Sequence, residues 1–265
     1  MAQVEHAGAS IHWTSVGSGE PLLMLMGLGC SSAMWFRLAP LLAKRYRVVL
    51  MDNRGVGRTE VRHYVVHRVS TMAGDVAAVL DAAGEASAHV LGFSMGGMIA
   101  QEFALTFPQR LRSLILMATH CGGSTAVLPP SDVWRLLFDK GRMTPEQNLH
   151  VMRPHTYHPS TEQRLVDEDH AVRLDSWPEP RGYLAQLYGL MGWSSYSRLA
   201  RVRSPTLVMH GRDDRLIPAD NAGILARAIP AARLVKLDDA SHMIATDQLA
   251  RTSAEINNFL REARR

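Results

Sequence analysis

Short apolar runs alternate with longer patterns of helical periodicity along most of this 265-residue chain. Each run has the length of a buried strand, and Gly or Pro often follows the end of the next helical pattern. Such alternation is typical of a largely parallel sheet that helices cover. The predicted strands are residues 22–26, 48–51, 89–93, 113–118, 206–210 and 234–237. The predicted helices are residues 34–44, 71–83, 95–107, 219–228 and 247–261, with Ser70 and Thr246 as N-caps.

Two segments depart from this alternation. Residues 11–16 alternate in polarity and end at a Gly-Ser-Gly turn, which favours an antiparallel strand at the start of a mixed sheet. Residues 124–203 contain no strand-like run but several helix starts, including capping-box patterns that begin at Thr144 and Ser160. This insertion holds three of the five Trp and four of the six Tyr residues. We therefore expect a helical cap over an apolar pocket, with no single aromatic side chain assigned to the site.

The length and composition predict one folded core with an insertion. Hydrophobic residues make up 46% of the chain and charged residues 20%, which is ordinary for a packed globular protein. We assign residues 1–123 and 204–265 to the core and residues 124–203 to the cap. Only Cys30 and Cys121 are present, far apart in sequence, so we expect no disulfide framework and a cytoplasmic protein.

The charge pattern argues against several classes of partner. The net charge is +4, but the 29 basic residues are scattered and form no basic stripe with interleaved aromatic residues, so we expect no nucleic acid. The densest basic stretch, Arg261, Arg264 and Arg265, has the pattern of a solvated helix end. We find neither an export leader nor an apolar run long enough to span a bilayer, so we expect no membrane. No set of His, Cys and carboxylate residues has metal-ligand spacing, so we expect no metal and no cofactor. The oligomeric state stays open.

A Gly-x-Ser-x-Gly pattern at residues 92–96 is the strongest candidate for a reactive centre. It stands between a predicted strand and a predicted helix, where a sharp turn brings neighbouring segments close and requires the small Gly92 and Gly96. The first N–H groups of the following helix have no acceptor within the helix and can bind a developing oxyanion. We therefore predict that Ser94 is a nucleophile.

A serine nucleophile needs a base and a group that orients the base. The loop after strand 206–210 carries Asp213 and Asp214, and the loop after strand 234–237 carries His242. Both loops lie at the carboxyl ends of strands, where α/β sheets build their sites. This position favours His242 as the base among the 12 His residues. The alternatives at strand ends are His89, His120 and His210.

In their order along the chain, these motifs resemble the α/β-hydrolase superfamily over residues 20–262. The matching segments are residues 26–29, 52–58, 92–97, 211–218 and 241–242. The resemblance implies an α/β fold with a mostly parallel central sheet flanked by helices, and a helical cap inserted after the sixth strand. In the family the acid falls three residues after a Gly and four before a Pro, which selects Asp214. Asp213 is the fallback, and Asp238 or Asp239 is less favoured.

The resemblance also implies the remaining parts of the site. The oxyanion would be bound by the N–H of Met95, directly after the nucleophile, and by that of Leu28, in the loop after the strand at residues 22–26. Two positions differ from the family pattern, because Met26 stands where relatives often carry His and Ser241 where they often carry Gly. Both oxyanion donors are backbone groups, so the change at Met26 does not remove them.

The loop of residues 27–35 resembles a branch that contains enol-lactonases, polyketide methyl esterases and cofactor-free haloperoxidases. The resemblance implies a serine esterase or lactonase that hydrolyses small to medium apolar esters through an acyl-enzyme, with Ser94, Asp214 and His242 as its triad. The same triad can support carbon-carbon bond hydrolysis, or perhydrolysis and haloperoxidation without a cofactor. A ligand-binding receptor with a slow or silent triad is the alternative from another class. Cys30 has no elbow around it, so we do not expect it to be the nucleophile.

Overall fold

The strands of the computed structural model form one mixed sheet, and the structure describes residues 2–63, 65–139 and 143–263. The strands are β1 (Ala2–His6), β2 (Ala9–Val16), β3 (Glu20–Leu25), β4 (Tyr46–Met51), β5 (Glu60–Val61), β6 (Ala88–Phe93), β7 (Leu111–Met117), β8 (Thr206–Gly211) and β9 (Arg233–Leu237). Their order across the sheet is β1-β2-β4-β3-β6-β7-β8-β9, and β5 pairs with β2. The pairs from β4 to β9 are parallel, whereas those made by β2 are antiparallel.

Apolar side chains on both faces of the central strands explain why these segments read as continuous apolar runs. In β3, Leu22 and Met24 pack in one buried cluster while Leu23 and Leu25 pack in the cluster on the opposite face. Successive side chains of a strand point to opposite faces, so a strand covered on both sides needs apolar residues throughout. The predicted α/β architecture with a mostly parallel sheet is therefore confirmed.

Helices cover both faces of this sheet. The α-helices are α1 (Ala39–Leu42), α2 (Val69–Ala82), α3 (Met95–Thr106), α4 (Ser131–Asp139), α5 (Pro145–Thr156), α6 (Gln163–Asp175), α7 (Pro180–Leu190), α8 (Asp220–Ala228), α9 (Ile244–Asp247) and α10 (Leu249–Glu262). Buried residues of α2, α3 and α8 belong to the cluster on one face, and those of α1 and α10 belong to the cluster on the other. No helix in the described ranges is long and apolar enough to cross a membrane.

The four helices α4 to α7 lie between β7 and β8, within the predicted insertion at residues 124–203. If the two-residue β5 is left out, β7 is the sixth strand along the chain, as the predicted fold requires. The division into core and cap at residues 123 and 204 stays a prediction.

One of the two predicted capping boxes is confirmed and the other is wrong. The Thr144 hydroxyl accepts from the Gln147 amide at 3.2 Å, and the Gln147 side chain accepts from the Thr144 amide at 3.0 Å. The box that would begin at Ser160 does not form, because α6 starts after Glu162 and has no side-chain cap. The Ser160 hydroxyl instead lies 2.6 Å from His158 Nδ1, and the neighbouring Thr161 hydroxyl donates to the Asp247 carboxylate at 2.6 Å. A local contact with His158 therefore replaces the predicted cap at Ser160.

Other local predictions also need correction. Ser70 lies inside α2, which begins after Arg68, and the Thr246 hydroxyl donates to the Asp169 carboxylate at 2.6 Å instead of capping α10. The predicted helix at residues 34–44 is replaced by a 3₁₀ turn at Ser32–Trp35 and the short α1. Strands β1 and β5 were not predicted. Of the basic tail, only Arg261 is described, since Arg264 and Arg265 lie outside the described residues.

Candidate active site

Ser94 occupies a strained turn between β6 and α3. Its backbone has φ 54° and ψ −119°, a conformation that costs a residue with a side chain about 1–3 kcal/mol. Two glycines make the turn possible. A Cβ on Gly92 would lie 2.2 Å from the Gly96 carbonyl oxygen, and a Cβ on Gly96 would lie 2.2 Å from the Leu25 carbonyl oxygen. The small residues predicted around Ser94 are therefore required by contacts with backbone atoms that cannot move aside.

Hydrogen bonds from the neighbouring strand hold the Ser94 backbone in this conformation. The Ser94 amide donates to the Met117 carbonyl at 2.9 Å, and the Thr119 hydroxyl donates to the Ser94 carbonyl at 2.7 Å. A Cβ on Gly97 would lie 2.6 Å from the Thr119 side chain, so this contact is also tight. Both partners follow from the parallel pairing of β6 with β7, which places residues 117–119 beside the turn.

His242 and Asp214 meet at the carboxyl ends of β9 and β8. The His242 Nδ1 atom lies 2.8 Å from Asp214 Oδ2, and Asp214 Oδ1 accepts the Leu216 and Ile217 amides at 2.9 and 2.8 Å. An acceptor at Nδ1 fixes the imidazole as the tautomer that carries its proton there, which leaves Nε2 free to accept one. Asp214, which the family spacing between Gly211 and Pro218 favoured over Asp213, is therefore the carboxylate that contacts His242.

The three other candidate carboxylates do not contact His242. Asp213 is exposed and lies 3.6 Å from the His158 ring. Asp238 is exposed and pairs with the Arg212 guanidinium. Asp239 is exposed as well and adopts a φ of 52° in the turn that follows β9.

Two histidines surround the buried Asp214 carboxylate. His210 is fully buried, and its Nε2 atom lies 3.1 Å from Asp214 Oδ2 and 2.8 Å from the Ile217 carbonyl oxygen. Burial alone would raise the pKa of Asp214, but the charge of His242 and the hydrogen bonds from both imidazoles outweigh it and lower the pKa to about 2. Asp214 is therefore an anion at every pH near neutrality.

His120 is the one strand-end alternative that reaches the same cavity. Its Nδ1 atom accepts the Gly122 amide at 2.9 Å, so the ring proton of the neutral form lies on Nε2. Burial, together with the charges of His210 and His242, lowers the pKa of His120 to about 4. The imidazole is thus neutral near pH 7, and no carboxylate of the described residues contacts it as Asp214 contacts His242. His89 is buried away from the cavity, beside the Ser113 hydroxyl at 2.7 Å.

Ser94 and His242 line a cavity of about 360 Å³ between the sheet and the insertion. Its walls are mainly apolar, and the insertion contributes the aromatic residues Trp134, Tyr183 and Trp193. The other insertion aromatics in the described residues do not line it; they are Phe138, Tyr157, Trp177, Tyr188 and Tyr196. No hydrogen bond joins Ser94 Oγ to His242 Nε2 in the described structure, a contact that often tightens only when substrate binds.

Two backbone amides lie at the cavity wall without an acceptor. The Met95 amide is the first of α3, and the Leu28 amide belongs to the loop after β3. Neither donates to another group among the described residues, whereas the next amides along the loop, Gly29 and Cys30, are both bonded. The loop lies close to Ser94, because a Cβ on Gly27 would lie 3.2 Å from the Ser94 Cβ. These are the features of a site for an oxyanion.

Gln186, from the insertion, holds this loop and was missed in the sequence. Its side chain is fully buried on α7, accepts the Gly29 amide at 2.9 Å and donates to the Arg54 carbonyl at 2.6 Å. A second amide, Asn53 Nδ2, donates to the Met26 carbonyl at 2.9 Å. The loop conformation therefore does not depend on a histidine at position 26. No local pattern reveals Gln186, since its partners lie more than 130 residues earlier in the chain.

We expect Gln186→Met to lower both the stability and the kcat of the protein. The variant keeps the volume of the side chain but leaves a buried amide and a buried carbonyl without partners, which costs about 1–3 kcal/mol of unfolding free energy for each group. A displaced Leu28 amide would lower kcat by about tenfold, since an oxyanion donor is worth about 10²–10³. Chemical denaturation and steady-state kinetics measure both effects. Gln163→Met, at an exposed position of α6, is the matched control, and an unchanged kcat in Gln186→Met would contradict the expectation.

Comparison with known proteins agrees with the fold and with the motifs. The family described as alpha/beta hydrolase fold matches residues 20–248. The chain is an α/β hydrolase. This match includes strands β3 to β9 and also Ser94, Asp214 and His242, so the similarity covers both the sheet and the candidate site.

Proteins similar to this α/β hydrolase carry names that refer to different substrates. It is 31% identical over 242 residues to RutD of Azorhizobium caulinodans, whose name assigns it provisionally as a carbamate hydrolase, and the match covers 89% of this chain and 90% of RutD. It is also 31% identical to a 2-hydroxy-6-oxo-6-phenylhexa-2,4-dienoate hydrolase of Comamonas testosteroni, with 95% and 91% of the two chains covered. A thermophilic esterase of Thermogutta terrifontis superposes with a TM-score of 0.86 at 26% identity, covering 99% and 98%.

Proposed function

We propose that this hydrolase cleaves small to medium carboxylic esters or lactones through an acyl-enzyme on Ser94. His242 accepts the Ser94 proton as Oγ attacks the carbonyl carbon, and Asp214 orients the imidazole and stabilises its charged form. The amides of Met95 and Leu28 bind the oxyanion, and His242 then returns the proton to the leaving alcohol. Water, deprotonated by the same histidine, then attacks the acyl-enzyme carbonyl, and His242 returns this proton to Ser94 Oγ as the acid leaves.

The observation that carries this proposal is the strained Ser94 turn, which shares an apolar cavity with an imidazole that a buried anion orients. A mainly apolar cavity of this size suits a small acyl group better than a long peptide or a phosphate. The similarity to the Thermogutta terrifontis esterase supports the same substrate class. A cytoplasmic location is part of the proposal, and it rests on the cysteine usage alone.

Carbon-carbon bond hydrolysis is the second candidate, because the Comamonas testosteroni relative is named as a hydrolase of a dienoate that contains no ester bond. The same nucleophile, base and oxyanion amides would serve, with a vinylogous ketone in place of the ester. Carbamate hydrolysis enters the substrate tests for the same reason. Perhydrolysis and the receptor alternative have no further support from the described residues.

The test combines covalent labelling with a substrate panel. We expect a fluorophosphonate probe to label the protein, with mass spectrometry placing the adduct on Ser94, and p-nitrophenyl esters or lactones to be hydrolysed faster than a vinylogous diketone or a carbamate. Acetate with hydrogen peroxide in the same panel reports perhydrolysis. Labelling without turnover of any substrate, together with tight saturable ligand binding, would instead favour the receptor. A panel in which the diketone is the best substrate would overturn ester hydrolysis as the main activity.

A further inference from the structure

The cavity contains a permanent positive charge that the proposed mechanism does not use. Arg173 lies on α6, is half-buried and lines the same cavity as Ser94 and His242. It is the only Lys, Arg, Asp or Glu side chain of the described residues on that wall. A guanidinium does not lose its proton in a protein, so this charge is present at every pH at which the protein folds.

No carboxylate of the described residues forms a salt bridge with this guanidinium, although Asp169 lies near enough for its charge to act on it. Asp169, one turn earlier on α6, accepts from Arg37 Nε at 3.1 Å and from the Thr246 hydroxyl at 2.6 Å. Glu168 pairs with Arg37 and Arg164 on the outer side of the helix. Arg173 itself has neither an ion pair nor a hydrogen bond within the described ranges of the chain.

Within the described ranges, the guanidinium of Arg173 packs against an aromatic ring. Its Cζ atom lies 5.8 Å from the centre of the Trp177 ring, in the range of a cation–π interaction. That contact restrains the side chain and leaves its N–H groups unbonded. Arg173 therefore lines the cavity with the hydrogen-bond donors of its guanidinium available to a ligand.

An unpaired charge beside apolar walls is costly unless a ligand completes it. The planar fork of a guanidinium matches a carboxylate, which it binds with two parallel hydrogen bonds. We propose that Arg173 binds a carboxylate of the substrate, so that this hydrolase prefers esters or lactones that carry a second, ionised carboxyl group away from the scissile bond. The inference rests on the proposed function and narrows its substrates from carboxylic esters and lactones in general to those that also carry an ionised carboxyl group, such as the monoesters of dicarboxylic acids.

The test compares matched esters with and without the charge. On the acyl side the pair is p-nitrophenyl hexanoate and mono-p-nitrophenyl adipate, and on the alcohol side it is benzyl acetate and 4-carboxybenzyl acetate. We expect the charged member of at least one pair to have the higher kcat/KM in the wild type. Arg173→Met should lower that value by about 10- to 100-fold, the effect of a hydrogen bond to a charged group, and leave the neutral ester nearly unchanged. Arg173→Lys should fall between the two, since it keeps the charge but loses the fork.

The control is Arg164→Met, which removes an exposed arginine from the same helix and should keep the preference. If neither pair shows a preference that depends on Arg173, or if Arg173→Met lowers charged and neutral esters equally, the proposal is wrong. Thermal melting confirms that each variant is folded.

A binding measurement separates this proposal from the proposed function. Calorimetry on Ser94→Ala should detect glutarate but not 1,5-pentanediol, and the additional change Arg173→Met should abolish glutarate binding. If neutral esters are hydrolysed through Ser94 while glutarate does not bind, the carboxylate proposal fails and the ester hydrolase stands. If glutarate binding depends on Arg173 but no ester is hydrolysed, the proposed function fails and the anion site stands.

Discussion

Ser94→Ala should lower kcat/KM for the best ester by about 10⁴-fold or more and abolish labelling by a fluorophosphonate, with the fold intact. The size follows from serine hydrolases in which loss of the nucleophile leaves only the contribution of the oxyanion site and of substrate binding. Alanine removes the hydroxyl but keeps a side chain in the conformation with φ 54°. Activity and labelling therefore test the chemistry, and circular dichroism tests the fold.

Ser94→Gly gives a second, independent readout at the same position. Glycine adopts a positive φ with little strain. Ser94→Gly should therefore be as inactive as Ser94→Ala, but its unfolding free energy should exceed that of Ser94→Ala by about 1–2 kcal/mol. Cys30→Ala addresses the other nucleophilic side chain at the cavity and should keep fluorophosphonate labelling. Full hydrolysis by Ser94→Ala, or loss of labelling in Cys30→Ala alone, would contradict the assignment of the nucleophile.

Asp214→Asn should lower kcat by about 10³–10⁴-fold with a smaller effect on KM. An asparagine that keeps its oxygen toward the Leu216 and Ile217 amides must turn its NH₂ group toward His242 Nδ1. The imidazole would then carry its proton on Nε2 and could not accept one from Ser94. Steady-state kinetics on the ester identified by the panel measure the loss.

The neighbouring carboxylate supplies the matched control. Asp213→Asn changes an exposed residue that does not contact His242, so its kcat should stay within about twofold of the wild type. A larger loss in Asp213→Asn than in Asp214→Asn would show that the acid was assigned to the wrong residue.

Asp214→Asn should also differ from the wild type in unfolding free energy, by an amount that depends on pH. The pKa of Asp214 is lowered from 3.8 to about 2 in the folded protein, so the unfolded chain binds the proton more readily. The ionised carboxylate therefore stabilises the fold fully above pH 3.8, and this contribution is lost as the pH falls toward 2. The difference in unfolding free energy between wild type and Asp214→Asn should narrow over that range, measured by denaturant titration at several pH values.

The parts of the fold that could be predicted are those encoded by nearby residues. The central strands are buried on both faces and therefore appear as uninterrupted apolar runs, and the turn at Ser94 needs glycines two positions to either side. Strand β1 could not be recognised in the same way. It lies at the edge of the sheet and alternates half-buried with exposed residues, with Val4 as its one large apolar side chain.

Features that depend on distant partners escaped prediction. Thr246 was predicted to cap a helix, yet its hydroxyl is bonded to Asp169, 77 positions earlier in the chain. Gln186 and Arg173 lie on helices whose apolar patterns are unremarkable, and their roles follow only from what the fold places opposite them. His242 and Asp214 could be predicted although they are far apart in sequence, because the carboxyl ends of parallel strands lie at one edge of the sheet.

The buried amide of Gln186 also limits how the two parts of the protein can diverge. The insertion provides walls for the cavity, which suggests a segment that could be exchanged between relatives to change specificity. Yet the same segment supplies Gln186, whose buried side chain is hydrogen-bonded to the loop that carries Leu28. A chimera with the insertion of another hydrolase would gain a new pocket. It would lose the hydrogen bonds of Gln186 unless that insertion has a side-chain amide at the same position.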